Sequence, residues 1–328
     1  ASRASGHRRP FFPWLWEAAN HWRSLTGIPV EIEILRRLRP DVVVLLHALR
    51  FSGVVAAHRL GLPVVIEVNA SVPDEIRRYR PDVHLVPWLS DWIERRMLAA
   101  ADGIFVVSGV LRDVLVHRGL PPDRVAVIPN GADPDRFHPA AADPDLRAGF
   151  PGRVLVGFAA SFARYHGLEL LESAIRRVPA HFVLAGDGPG ATRLRERLAG
   201  CDNVTFLGAV PHSRMPSILA AMDILVAPYA AQDFFYFSPI KLFEYLACGR
   251  AVLSVRLGQI AELLRHDHNG LLYDPTRPGD FVEKLLALVG DPARRERLGR
   301  EARRTIESGY SWDHHARRLV EVLETARQ

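Results

Sequence analysis

Short runs rich in valine and isoleucine, spaced by longer amphipathic stretches, constrain this chain more tightly than anything else in its sequence. The runs at 41–46, 63–68, 103–107 and 124–128 show little polar alternation, which marks strands covered on both faces, as in parallel sheets. Helical patterns at 53–60, 88–100 and 109–116 lie between them. Strand, helix and strand in succession give right-handed crossovers. A cluster of turn formers follows, Pro129, Asn130, Gly131, Asp133 and Pro134, with no apolar period. The alternation then resumes, with strands expected at 154–159, 181–185, 204–207, 224–227, 251–255 and 270–272 and helices between them. The fold class this implies is α/β, two doubly wound Rossmann-like domains facing a cleft: residues 1–133, residues 134–310, and a C-terminal helix, 311–328, packing back toward the first domain.

Composition narrows the classes. With 48% hydrophobic and 24% charged residues, the chain is neither disordered nor membrane-spanning. It begins at Ala1, and no apolar segment of signal-peptide type follows the first basic residues, so a truncated or processed N-terminus is expected. Cys201 and Cys248 have no disulfide or zinc spacing and read as reduced thiols of a cytoplasmic protein. The net charge of +5 is spread over arginines interleaved with acids, without a nucleic-acid module. It reads as a solvated surface biased toward anionic substrates. Arg8 to Trp16 is basic and aromatic, interrupted by Pro10 and Pro13. Such a segment could lie at a membrane surface or pack on its own domain.

Ser238 to Val252 carries the most chemistry. Ser238 can cap a helix and Pro239 suits its first turn. The free amides there, from Ile240 onward, make an anion site. Lys241 places a cation in that turn, where the helix dipole disfavours it unless something negative binds nearby. Glu244 lies one turn on and could hold a ribose by two hydroxyls, or simply pair with Lys241 on the surface.

This segment resembles the donor helix of family 4 glycosyltransferases, in the form Ser-Pro-x-Lys-x-x-Glu-Tyr. Further likenesses follow in order: Val127 to Asp133 with Phe137, Ala185 to Pro189, Asn203 to Gly208, His268 to Pro275, and Ser311-Trp312. The resemblance implies a GT-B transferase that retains anomeric configuration, needs no metal or other cofactor, and uses a nucleotide-diphosphate sugar, UDP favoured over GDP or ADP. By position, Glu244 should hold the ribose, Phe206, Leu207 and Val210 the base, and Gly186 and Gly188 a loop close to the donor. Ser238, Pro239, Ile240 and Lys241 should meet the diphosphate. The family's phosphate-binding Arg and Lys fall here at Ser161 and His166, with Arg164 between them as a substitute. A family Glu near the donor sugar is replaced by Tyr236.

The first half fits less closely. A cleft histidine of the family is matched by Asn69, which can bond a sugar hydroxyl but carries no proton at neutral pH. His47 is the available imidazole. The family's first strand and Gly-rich loop are not recognisable before Pro40. No pair of carboxylates suits hydrolysis. The acceptor is expected to be a sugar, a lipid-linked molecule or a small molecule, met in the cytoplasm or at the inner face of a membrane. The rival readings are another GT-B enzyme, such as a nucleotide-sugar epimerase, and a degenerate GT-B subunit that binds a partner without turnover.

Overall fold

The computed structural model describes residues 13–79, 86–232 and 235–328. They divide into two compact units, one formed by residues up to Ile128 together with Arg317–Gln328, the other by Pro129–Ala316. Each is a parallel α/β layer structure.

In the first unit, helix α1 (Pro13–Leu38) precedes strand β1 (Val43–Leu46). Then come α2 (Ser52–Arg59), β2 (Val64–Val68), α3 (Val72–Tyr79), α4 (Pro87–Ala100), β3 (Gly103–Val106), α5 (Gly109–His117) and β4 (Val125–Val127). The strands lie in the order β1-β2-β3-β4, all parallel. β3 is buried along its whole length, as its apolar run requires. The basic, aromatic segment from Arg8 lies outside the described residues as far as residue 12. From Pro13 it is helical and runs on through Pro29, longer than the proline interruptions suggest.

The second unit runs through α6 (Pro144–Ala148), β5 (Leu155–Ala159), α7 (Leu168–Arg177), β6 (His181–Ala185), α8 (Ala191–Arg197), β7 (Val204–Gly208) and α9 (Met215–Ala220). It continues with β8 (Ile224–Ala227), α10 (Ile240–Ala247), β9 (Ala251–Val255), α11 (Gly258–Leu263), β10 (Leu271–Tyr273), α12 (Asp280–Gly290) and α13 (Pro292–Gly309). Its sheet has the order β10-β9-β8-β5-β6-β7. The order reverses at β5, which has β6 on one side and β8 on the other.

The turn segment 129–133 belongs to this second unit, not to the end of the first. Ala132 donates its amide to Tyr310 O at 3.1 Å, and the Asn130 side chain donates to Ser238 O at 2.8 Å. Helix α14 (Trp312–Arg327) then leaves the second unit, and its far end returns to the first. There Leu319, Val322, Leu323 and Ala326 pack on the buried cluster of Val65, Phe105 and Ile128. Arg327 reaches Asp41 at 3.0 Å.

Candidate functional site

Where a parallel sheet reverses its strand order, the loops at the carboxyl ends part and leave room for a ligand. In the second unit that place is between the ends of β5 and β8, at Ala159 and Ala227. Two buried tyrosines fix the two loops. The Tyr245 hydroxyl on α10 accepts the Ala159 amide at 2.8 Å, and the Tyr273 hydroxyl at the end of β10 accepts that of Tyr229 at 2.8 Å. The Tyr273 bond lies out of water and the Tyr245 bond partly so, where a lost partner costs more than at a surface.

α10 starts beside these loops. No side chain caps it. Ser238 is not the cap its sequence suggests, because Asn130 competes for it: the Asn130 amide donates to Ser238 Oγ at 3.2 Å. Lys241 stands in the first turn. Its stem is partly exposed, but Nζ is buried and has no hydrogen-bond partner among the described residues. The rings of Tyr229 and Phe158 face it at 5.3 and 5.5 Å. Burial pushes its ammonium down to about 7.

Glu244 does not pair with Lys241. Its Oε1 accepts His212 Nε2 at 2.8 Å, and its side chain keeps 13% exposure. Burial raises its carboxyl above the ordinary range, against the hydrogen bond from His212. His212 is carried on the turn after β7, whose carbonyl at residue 212 accepts Arg136 at 3.0 Å. Among the expected base-contact residues, Phe206 lies under the Arg195 guanidinium at 4.9 Å, and Leu207 and Val210 are half-buried beside it in sequence.

The glycine loop after β6 has an internal reason. Gly186 and Gly188 have φ of +114° and +155°, and a Cβ on either would strike the carbonyl of Ala160 or Ser161 at 1.9 or 1.8 Å. They are therefore required by the packing of this loop on the one after β5, whatever they do for a ligand. In that second loop Ser161 is exposed. Arg164 and His166 lie on one tight turn, Arg164–His166, and diverge. His166 is buried, and its Nδ1 accepts the Ala163 amide at 3.1 Å, so the neutral ring carries its proton on Nε2. Burial, with Lys241 nearby, pushes it down to about 3. Arg164 instead lines a groove of about 610 Å3 with Glu169 and Arg193. Arg164 is exposed on the same turn whose His166 is buried. Tyr236, where a carboxylate was replaced, is buried and packs against Phe237 in a tilted pair, ring centroids 4.6 Å apart.

In the first unit, Asn69 is exposed at the end of β2 and donates to Glu67 Oε1 at 3.0 Å. His47 is buried. Its Nδ1 donates to Ala70 O at 3.1 Å and its Nε2 stands 3.4 Å from Glu94 Oε1. Burial holds His47 down at about 4 and lifts Glu94 to about 7. Glu94 also accepts Ser71, Val72 and Arg118. With the side chain 1% exposed, His47 fastens the ends of β1 and β2. Among the described residues no group of His, Cys, Asp or Glu is placed to hold a metal ion.

Sequence reasoning missed His212, Tyr229 and Tyr273. Their partners lie 32 to 44 residues away, and no local pattern announces them.

Two family profiles match this chain. "Glycosyltransferase Family 4" matches residues 2–136, and "Glycosyl transferases group 1" matches residues 153–291. The chain belongs to glycosyltransferase family 4. It is 27% identical over 303 residues to the sulfoquinovosyl transferase of Arabidopsis thaliana, covering 88% of this chain and 57% of that one. With the D-inositol 3-phosphate glycosyltransferase of Rhodococcus opacus it shares 30% identity over 252 residues, 71% of this chain and 55% of that protein. The chain thus spans little more than half the length of these two relatives. Its fold is GT-B. It superposes on the Anabaena protein HepE in complex with UDP with a TM-score of 0.76 at 16% identity, over 90% of this chain and 82% of that one. Sucrose-phosphate synthase of Thermosynechococcus elongatus gives 0.70 at 19% identity, over 90% and 77%.

Proposed function

We propose that this chain transfers a sugar from a nucleotide-diphosphate donor to a sugar, lipid-linked or small-molecule acceptor, with retention of configuration and without a metal. The observation that carries the reading is Lys241: an ammonium buried beside an uncapped helix start, with no counter-ion among the described residues. An unpaired buried charge costs several kcal/mol, and a diphosphate at that helix start would remove the cost. The phosphate meets the amides of α10 first, and Lys241 reaches it by a change of rotamer. Lys241 then supplies the positive charge that stabilises the departing diphosphate. Glu244 accepts two ribose hydroxyls once His212 has released it. Ser161 and the Nε2–H of His166 are further donors toward the phosphates or the sugar. The acceptor side is assigned to the first unit, where Asn69 is exposed. UDP is favoured because HepE carries UDP. The two thiols are free, and we place the reaction in the cytoplasm.

Calorimetric titration with UDP, GDP and ADP tests the reading. One of the three should bind. Lys241→Ala should lose roughly a hundredfold in turnover, and Glu244→Gln should lower nucleotide affinity roughly tenfold while erasing discrimination against the 2′-deoxy form. A folded protein that binds none of the three overturns it.

A further inference from the structure

The first unit carries a helix face that its own fold does not cover. On α4, residues 88, 92, 95, 96 and 99 fall on one side at helical spacing, and all five are exposed. Ser90, Ile93, Glu94, Met97 and Leu98 form the opposite, buried side. The exposed side is not the usual charged stripe. It holds two tryptophans, Trp88 at 70% and Trp92 at 45% exposure, flanked by Arg95 and Arg96. The Arg96 guanidinium lies 5.6 Å from the Trp92 ring.

The tryptophans form one wall of a groove of about 640 Å3 with Leu98, Leu115 and Leu120 in its lining and Arg77, His117 and Arg118 among its polar groups. Arg77 and Arg118 are taken up by Asp74, Asp91 and Glu94. Arg95 and His117 have no carboxylate partner among the described residues, so the surface keeps a positive excess.

We propose that α4 docks the first unit onto an anionic phospholipid bilayer. Indole rings favour the boundary between head groups and acyl chains, where an apolar ring and a polar N–H are both served. Guanidinium groups at the same level meet lipid phosphates. Trp88 and Trp92 are the anchors, Arg95 and Arg96 the phosphate contacts, and the groove receives one head group. α4 has 14 residues and lies flat on the surface. No helix among the described residues is long and apolar enough to cross a membrane. The proposal does not depend on the donor reading: Lys241 and Glu244 belong to the other unit.

Flotation with phosphatidylcholine vesicles, with and without added phosphatidylglycerol, tests it. The wild-type chain should float only with the anionic vesicles, and added salt should release it. Trp88→Ala with Trp92→Ala should weaken binding at least about tenfold. Arg95→Gln and Arg96→Gln should weaken it about fivefold each. Trp22→Ala, at an exposed position of α1, should change nothing. All these side chains are exposed, and melting curves check that each variant is folded; the arginine pair serves if the tryptophan pair does not fold. Equal flotation with neutral and anionic vesicles, no flotation with either, unchanged binding by the double tryptophan variant, or loss through Trp22→Ala alone would each overturn the proposal.

Discussion

Lys241 is held in a place where its charge is a liability to the folded chain. Its folded value of about 7 lies below the ordinary 10.5. Between these values the unfolded chain binds the proton and the folded chain does not, so folding gains stability as pH rises through that window and bears the full penalty below it. A bound diphosphate acts in the opposite direction by holding the proton on. Nucleotide affinity should therefore be fully present below about pH 7 and fall above it, by up to about tenfold per pH unit. His166, neutral down to about 3, adds nothing to that slope. Titrations in a pH series check this. In Lys241→Met the fall should vanish and the melting temperature at neutral pH should rise; a slope kept by the variant sinks the assignment.

At the level of elements, the loop after β6 makes a demand that only glycine meets. Gly188→Ala must put a methyl group into Ser161 O, 1.8 Å from its ideal place, at a φ of +155°. The strained backbone alone costs on the order of 1–3 kcal/mol, and the clash adds to it. The second unit should melt roughly 6–12 °C lower, measured by calorimetry; an unchanged melting point would show that the loop relaxes freely. Strands such as β3, β8 and β9 were legible because each is an apolar run buried on both faces; β1 was read from the same kind of run, yet Val44 and Leu46 are exposed. α1 was not legible, since Pro10 and Pro13 read as breaks, yet Pro13 sits at the helix start, where proline is tolerated. Lys241 and Glu244 share one helix, as their spacing implied. The capping role given to Ser238 was not correct, because its partner Asn130 lies 108 residues away. The same distance effect hid His212 behind Glu244 and the two tyrosine clamps behind their loops.

For the whole molecule, the two units should respond to different perturbations. UDP at a hundred times its dissociation constant stabilises the unit that binds it by about 2.7 kcal/mol. Scanning calorimetry should show two transitions, of which UDP raises the one belonging to residues 129–316. Leu323→Asp on α14 removes an apolar contact with the Val65, Phe105 and Ile128 cluster. It should lower the other transition by an amount corresponding to about 2 kcal/mol and leave the nucleotide-sensitive one in place. A single transition moved by both treatments would contradict this division of labour.

The return of α14 also orders events during synthesis. Residues 129–316 are one continuous stretch, whereas the first unit needs both the beginning of the chain and residues 317–328. On the ribosome, then, the unit encoded second has all its residues available first. The unit encoded first waits, with the cluster of Val65, Phe105 and Ile128 uncovered, until the segment bearing Leu319 and Leu323 emerges to close it.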